Sequence, residues 1–153
     1  MVKKPNPIKD RLVLQLRDFF EKQGEAYDIN MAFLYGSWCR GYPKEQSDID
    51  IAVVFNTTPS SEEEVLALVT DISLAISKVI GKDVDIIPIY SDFRKPMLYY
   101  NAIVLGEPLY IKDFDRYLTY SMGALFHMED FSMFGIRWQI ERARINLETL
   151  RRA

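Results

Sequence analysis

Two short segments restrict the fold more than anything else in the chain. The first reads Leu34-Tyr35-Gly36-Ser37-Trp38-Cys39-Arg40-Gly41, and the second reads Ser47-Asp48-Ile49-Asp50-Ile51-Ala52-Val53-Val54. An apolar run ends in a Gly-Ser turn, ten residues separate Ser37 from Asp48, and a second apolar run then carries acids at alternate positions. Side chains i and i+2 of a strand share one face, so Asp48 and Asp50 can converge on one divalent cation. A Gly-Ser turn lets backbone N–H groups and a hydroxyl approach phosphate oxygens with no Cβ in the way. A carboxylate costs several kcal/mol to bury without a partner, so two acids in an apolar strand require either a ligand or an exposed sheet rim.

The pattern on either side extends this reading. Ile8, Leu12, Leu16, Phe19 and Phe20 form a helical stripe over 8–23, closing at Gly24. Residues 29–35 read as a buried strand, 38–46 as a short helical turn and loop, and 48–55 as the second strand. Ser61 with Glu64 makes a capping box for a helix that runs to Gly81. A third strand spans 83–89, Asp92 can cap a helix closed by Gly106, and 109–111 suit a short edge strand. From Asp113 onward the pattern is helical, with a break expected near Glu129-Asp130. This order predicts an α+β fold, α/β-like in its alternation, with a small mixed sheet and helices packed on one side. The hairpin-like return between the first two strands argues against a purely parallel sheet.

Lys82-Asp83-Val84-Asp85-Ile86-Ile87 supplies two candidates for a third acid. One cysteine, Cys39, and one histidine, His127, exclude a Cys/His zinc site within the chain, so a metal would sit on oxygen as Mg²⁺ or Mn²⁺. The net charge of -3 argues against a general nucleic-acid binder. A lone cysteine suits a reducing cytoplasm, and neither a signal peptide nor a run of roughly 18 apolar residues for a membrane span is expected. His127 is expected at an ordinary surface or core position. Five arginines from Arg137 to Arg152 interleave with Phe134, Trp138, Ile145 and Leu150, which suits either a docking helix or a solvated face behind a core-packed stripe.

The Gly-Ser turn, its spacing to Asp-x-Asp and the third acid together resemble the nucleotidyltransferase superfamily that includes DNA polymerase beta. The resemblance covers roughly residues 33–110, and Gly106-Glu107-Pro108-Leu109-Tyr110 resembles the Gly-x-x-Leu-Tyr closing segment of minimal nucleotidyltransferases (MNT). It implies one nucleotidyltransferase domain over 1–153, with a core at about 8–111 and a helical extension at about 112–153. It further implies that Asp48, Asp50 and Asp85 hold Mg²⁺, with two ions expected and Mn²⁺ possible, and that Asp85 is also the general base. Gly36, Ser37, Arg40 and Ser47 would steady the phosphates of ATP. MNT proteins often act as antitoxins of HEPN-family ribonucleases, moving AMP onto a toxin tyrosine, so a HEPN toxin in a hetero-oligomer is the implied partner. This chain lacks an Arg-x(4-6)-His element of its own, so it does not resemble a fused toxin. An aminoglycoside-type small-molecule nucleotidyltransferase and a non-catalytic antitoxin that occludes its partner are the alternatives.

Overall fold

The computed structural model describes residues 6–40 and 48–152. Helix α1 (Pro7–Gln23) begins where the Asn6 side chain accepts hydrogen bonds from the N–H groups of Ile8 and Lys9, with Pro7 in its first turn. It buries Leu12, Val13, Leu16, Phe19 and Phe20, whereas Ile8 is exposed. Strand β1 (Ile29–Tyr35) leads into the four-residue helix α2 (Ser37–Arg40), and β2 (Ile49–Phe55) follows. Helix α3 (Glu62–Ile80) starts at Ser61, whose hydroxyl accepts from the Glu64 N–H at 3.2 Å, and ends at Gly81 in left-handed backbone. Strand β3 (Val84–Pro88), helix α4 (Pro96–Ile103), strand β4 (Glu107–Ile111) and helix α5 (Phe114–Arg152) complete the chain.

The sheet order is β3-β2-β1-β4. Strand β1 is antiparallel to both β2 and β4, and β2 is parallel to β3. The mixed α+β architecture therefore stands as expected from the sequence, with β4 on the edge. The expectation of helices on one side needs correction. Leu34, Ile51 and Val53 pack with α1 and α3 on one face, while Met31, Phe33, Ala52 and Val54 pack with α4 and the first turns of α5 on the other. The continuous apolar runs of β1 and β2 are those of strands covered twice.

Two expectations about helix boundaries also change. Asp92 does not cap α4, which starts at Pro96 after Lys95 with no side-chain cap. Helix α5 runs 39 residues without a break at Glu129-Asp130. Both acids are exposed, and neither removes a backbone donor as a proline would, so nothing local ends the helix.

The α4/α5 face is organised around Phe93, buried in backbone with φ 50°, a conformation rare for an aromatic residue. Its ring lies 5.7 Å from that of Tyr120 and stacks on His127 at 4.8 Å. His127 donates from Nδ1 to the Gly123 carbonyl at 2.8 Å and thus has a packing position, far from the acids in sequence. A Cβ at Gly123 would stand 2.6 Å from the Phe93 ring, so glycine is what lets α5 approach so closely.

Candidate active site

Register places the acids before any chemistry is considered. Tyr35 of β1 pairs with Asp50 of β2, and Asp50 pairs with Asp85 of β3. The three residues form one rung across three adjacent strands, and directly opposed residues present their side chains on the same face. Ile49 and Ile51 belong to the α1/α3 core, so alternation turns Asp50 to the α4/α5 face, and Val84 and Ile86 do the same for Asp85. Asp48 lies one residue before β2 and two before Asp50. Asp48 and Asp85 are exposed and Asp50 is half-buried.

Asp83 precedes β3, and its carbonyl accepts from the Ile49 N–H at 3.0 Å. Of the two acids in that segment, Asp85 is therefore the one set beside Asp50. Electrostatics records the same proximity. Burial, then the charges of Asp85 and Asp48, hold the Asp50 carboxyl above its ordinary value. Burial, then Asp50 and Asp85, push the Tyr35 phenol up to about 12. Like charges gathered at one sheet end disfavour one another's ionisation, and a cation relieves that cost.

The Gly-Ser turn touches this rung directly. Gly36 has φ 77°, and a Cβ there would collide with the Asp50 carboxylate, whose Cγ would be 3.2 Å away. Glycine is thus required twice, for its backbone and for its missing side chain. The Gly36 carbonyl accepts from the Cys39 N–H at 3.1 Å, closing the turn, and Ser37 begins α2 in an exposed position. Trp38 is buried in the α1/α3 core and anchors α2. Arg40 ends α2, but its side chain lies outside the described residues, as does the whole of Ser47.

A cleft of about 510 Å³ opens beside the turn, lined by Tyr35, Gly36, Ser37, Cys39, Leu98, Asn101 and Leu105. The sequence reading missed Tyr35 and the α4 contribution. Tyr35 carried a signal, as a polar-tipped residue ending an apolar strand next to Gly36. Leu98 and Asn101 carried none, because only the packing of α4 brings them to the turn.

The donor set suits a hard cation such as Mg²⁺ in kind, since it offers carboxylates without thiol or imidazole. The side chains are not closed round one point. Among the described residues, no three Asp, Glu, His or Cys groups form a ready-made coordination set.

Comparison with known proteins places the chain. Residues 15–115 match the family described as polymerase beta, nucleotidyltransferase, and the chain belongs to that family. Solved structures share its fold. A chain from a toxin–antitoxin crystal structure with AMP-PNP is similar at TM-score 0.54 and 20% identity, over 93% of this chain and 98% of that one. A chain from a tri-AMPylated Shewanella oneidensis HEPN toxin in complex with MNT antitoxin gives TM-score 0.53 and 18% identity, over 90% and 98%. A third structure, from Shewanella oneidensis, gives TM-score 0.54 and 16% identity, over 82% and 96%. No curated protein matches the chain.

Proposed function

We propose that this nucleotidyltransferase transfers AMP from ATP to a tyrosine hydroxyl of a partner HEPN-family ribonuclease and thereby acts as its antitoxin. The observation that carries the reading is the Asp50–Asp85 rung with Gly36 pressed against Asp50, which sets the phosphate-approaching turn and the acids at one sheet end. The similarity to chains from toxin–antitoxin complexes, one with AMP-PNP and one with a tri-AMPylated toxin, supports the choice of nucleotide and acceptor.

In this reading the acceptor oxygen attacks the α-phosphorus of ATP and a new O–P bond forms. The bond from that phosphorus to the oxygen bridging the β-phosphate breaks, and pyrophosphate leaves with the electron pair. Asp85 takes the acceptor proton, while Gly36 and Ser37, with Arg40 and Ser47, hold the phosphates in line. Asp48, Asp50 and Asp85 would hold Mg²⁺, as two ions or with Mn²⁺ in its place, which supplies charge neutralisation at the phosphates. Among the described residues no helix is long and apolar enough to cross a membrane, and a cytoplasmic setting accords with an intracellular ribonuclease partner.

Incubating the chain with the HEPN ribonuclease encoded beside it, ATP and Mg²⁺ should raise the ribonuclease mass by about 329 Da or multiples, the AMP residue left once pyrophosphate departs. Ribonuclease activity should fall in step, because bulk and negative charge beside an RNA site oppose RNA entry. Asp48→Asn/Asp50→Asn should produce neither change. Equal silencing by that variant with no mass gain would favour a second reading, occlusion, which the exposed apolar surface of α5 supports.

A further inference from the structure

Helix α5 spans about 58 Å at 1.5 Å per residue, yet only its first turns are packed. Tyr120 and Ala124 are its buried residues, and after Ala124 no described residue of the helix is buried. The outer part is nevertheless rich in large apolar side chains. Phe134 is 71% exposed, Trp138 59% and Ile140 64%. The reading in which these aromatics pack on the core is thereby excluded.

The apolar residues are not scattered. Met133, Ile136, Ile140, Ala143, Leu147 and Leu150 follow one another at steps of three and four residues, the a/d spacing of a helix–helix seam. Phe131, Trp138 and Ile145 recur every seventh residue. At 100° per residue this second stripe lies about 180° round the helix from the seam. A helix apolar on opposite sides is one that is enclosed, not one that lies on a surface. A flat membrane surface would cover only one stripe, and so would a simple two-stranded pairing with a second copy.

Charge identifies the occupant further. Arg137, Arg144 and Arg151 line one flank of the seam at the heptad e position. From Phe131 onward the helix carries five arginines against two glutamates, in a chain of net charge -3. An antiparallel second copy would set these e-position arginines against one another, which is unfavourable. Arg144 does bond Glu141 at 2.8 Å, but both are largely exposed and such a pair yields readily to a new partner.

We infer that the outer half of α5 inserts between two helices of a helical partner protein, whose apolar stripes are flanked by Asp or Glu facing Arg137, Arg144 and Arg151. The partner is taken to be the AMP acceptor, so the inference rests on the proposed function for its identity, though not for its surface. The same helix then holds the acceptor while the sheet end modifies it.

Sedimentation velocity of the full chain, alone and with the HEPN ribonuclease, tests this. The wild type alone should be a monomer and should form a hetero-complex with the ribonuclease. Ile136→Glu/Ile140→Glu should weaken that complex about a hundredfold and Trp138→Ala about tenfold. Arg137→Glu/Arg144→Glu/Arg151→Glu should weaken it and flatten its salt dependence. Calorimetric Mg-ATP binding should be unchanged in all three, since these side chains are exposed and distant from the acids in sequence. The inference is overturned if the complex fails to form or survives Ile136→Glu/Ile140→Glu. It is equally overturned if α5 instead forms a dimer that this variant dissolves, or binds phosphatidylglycerol vesicles in the ribonuclease's place. A complex that needs α5 but shows no mass gain would leave the inference standing and remove adenylylation. A mass gain with a complex indifferent to the α5 variants would do the reverse.

Discussion

The two ends of this molecule treat apolar residues in opposite ways. Around the sheet, Leu34, Ile49, Ile51 and Val53 are fully enclosed, and the polar groups gather in one rung at the strand ends. Along the outer half of α5, the apolar side chains are the exposed ones, and the arginines lie beside them. The sheet region is complete as it stands. The helix is complete only against another protein. The difference teaches that chemistry and recognition occupy separate places here, so changes in one should leave the other intact.

The largest expected break in that separation falls at the acids. Asp48→Asn/Asp50→Asn should reduce Mg²⁺-dependent ATP affinity by about a hundredfold, read by calorimetry, because it removes two of the carboxylates that would hold the cation and so its charge neutralisation of the triphosphate. Its association with the ribonuclease should be unaltered. Next in size is Gly36→Ala. A side chain at φ 77° is strained by about 1–2 kcal/mol, and the new Cβ also pushes on Asp50. ATP affinity should fall about tenfold with a lowered Tm, and an unchanged affinity would show that the turn and the acid are not coupled.

Packing predictions sharpen the same contrast. Gly123→Ala should cost about 1–3 kcal/mol in urea unfolding, because the new Cβ presses on a Phe93 ring already packed against Tyr99, Tyr120 and His127. Ser61→Ala should cost about 1 kcal/mol through the lost cap of α3. Trp138→Ala should stay within about 0.5 kcal/mol of wild type despite removing the larger side chain, since the ring is largely exposed and meets an Arg142 guanidinium at 5.8 Å on the same helix. A large loss at Trp138 would mean that α5 folds back on the molecule.

The sheet was readable in the sequence because its signals are local. Short apolar runs, the Gly-Ser turn and the Ser61–Glu64 cap each act within a few residues, and they yield the strands and α3 without reference to the rest of the chain. Asp85 came from a resemblance rather than from spacing, and the register with Asp50 accounts physically for its place. What the sequence reading missed depends on tertiary packing. Coverage of both sheet faces follows from where α4 and α5 dock, as does the approach of Leu98 and Asn101 to the turn. The break expected near Glu129-Asp130 is absent because neither exposed acid removes a backbone donor, so the helix continues through them.

Asp85 gives the most direct measurement, because it separates holding the nucleotide from reacting with it. Single-turnover transfer of AMP to the ribonuclease, followed by intact mass, should fall by two or more orders of magnitude in Asp85→Asn while Mg-ATP binding is retained. Asp83→Asn, two residues before Asp85 and just ahead of β3, should transfer at close to the wild-type rate. Near-normal transfer by Asp85→Asn, with Asp83→Asn inactive, would contradict the assignment of the chemistry to the Asp50–Asp85 rung.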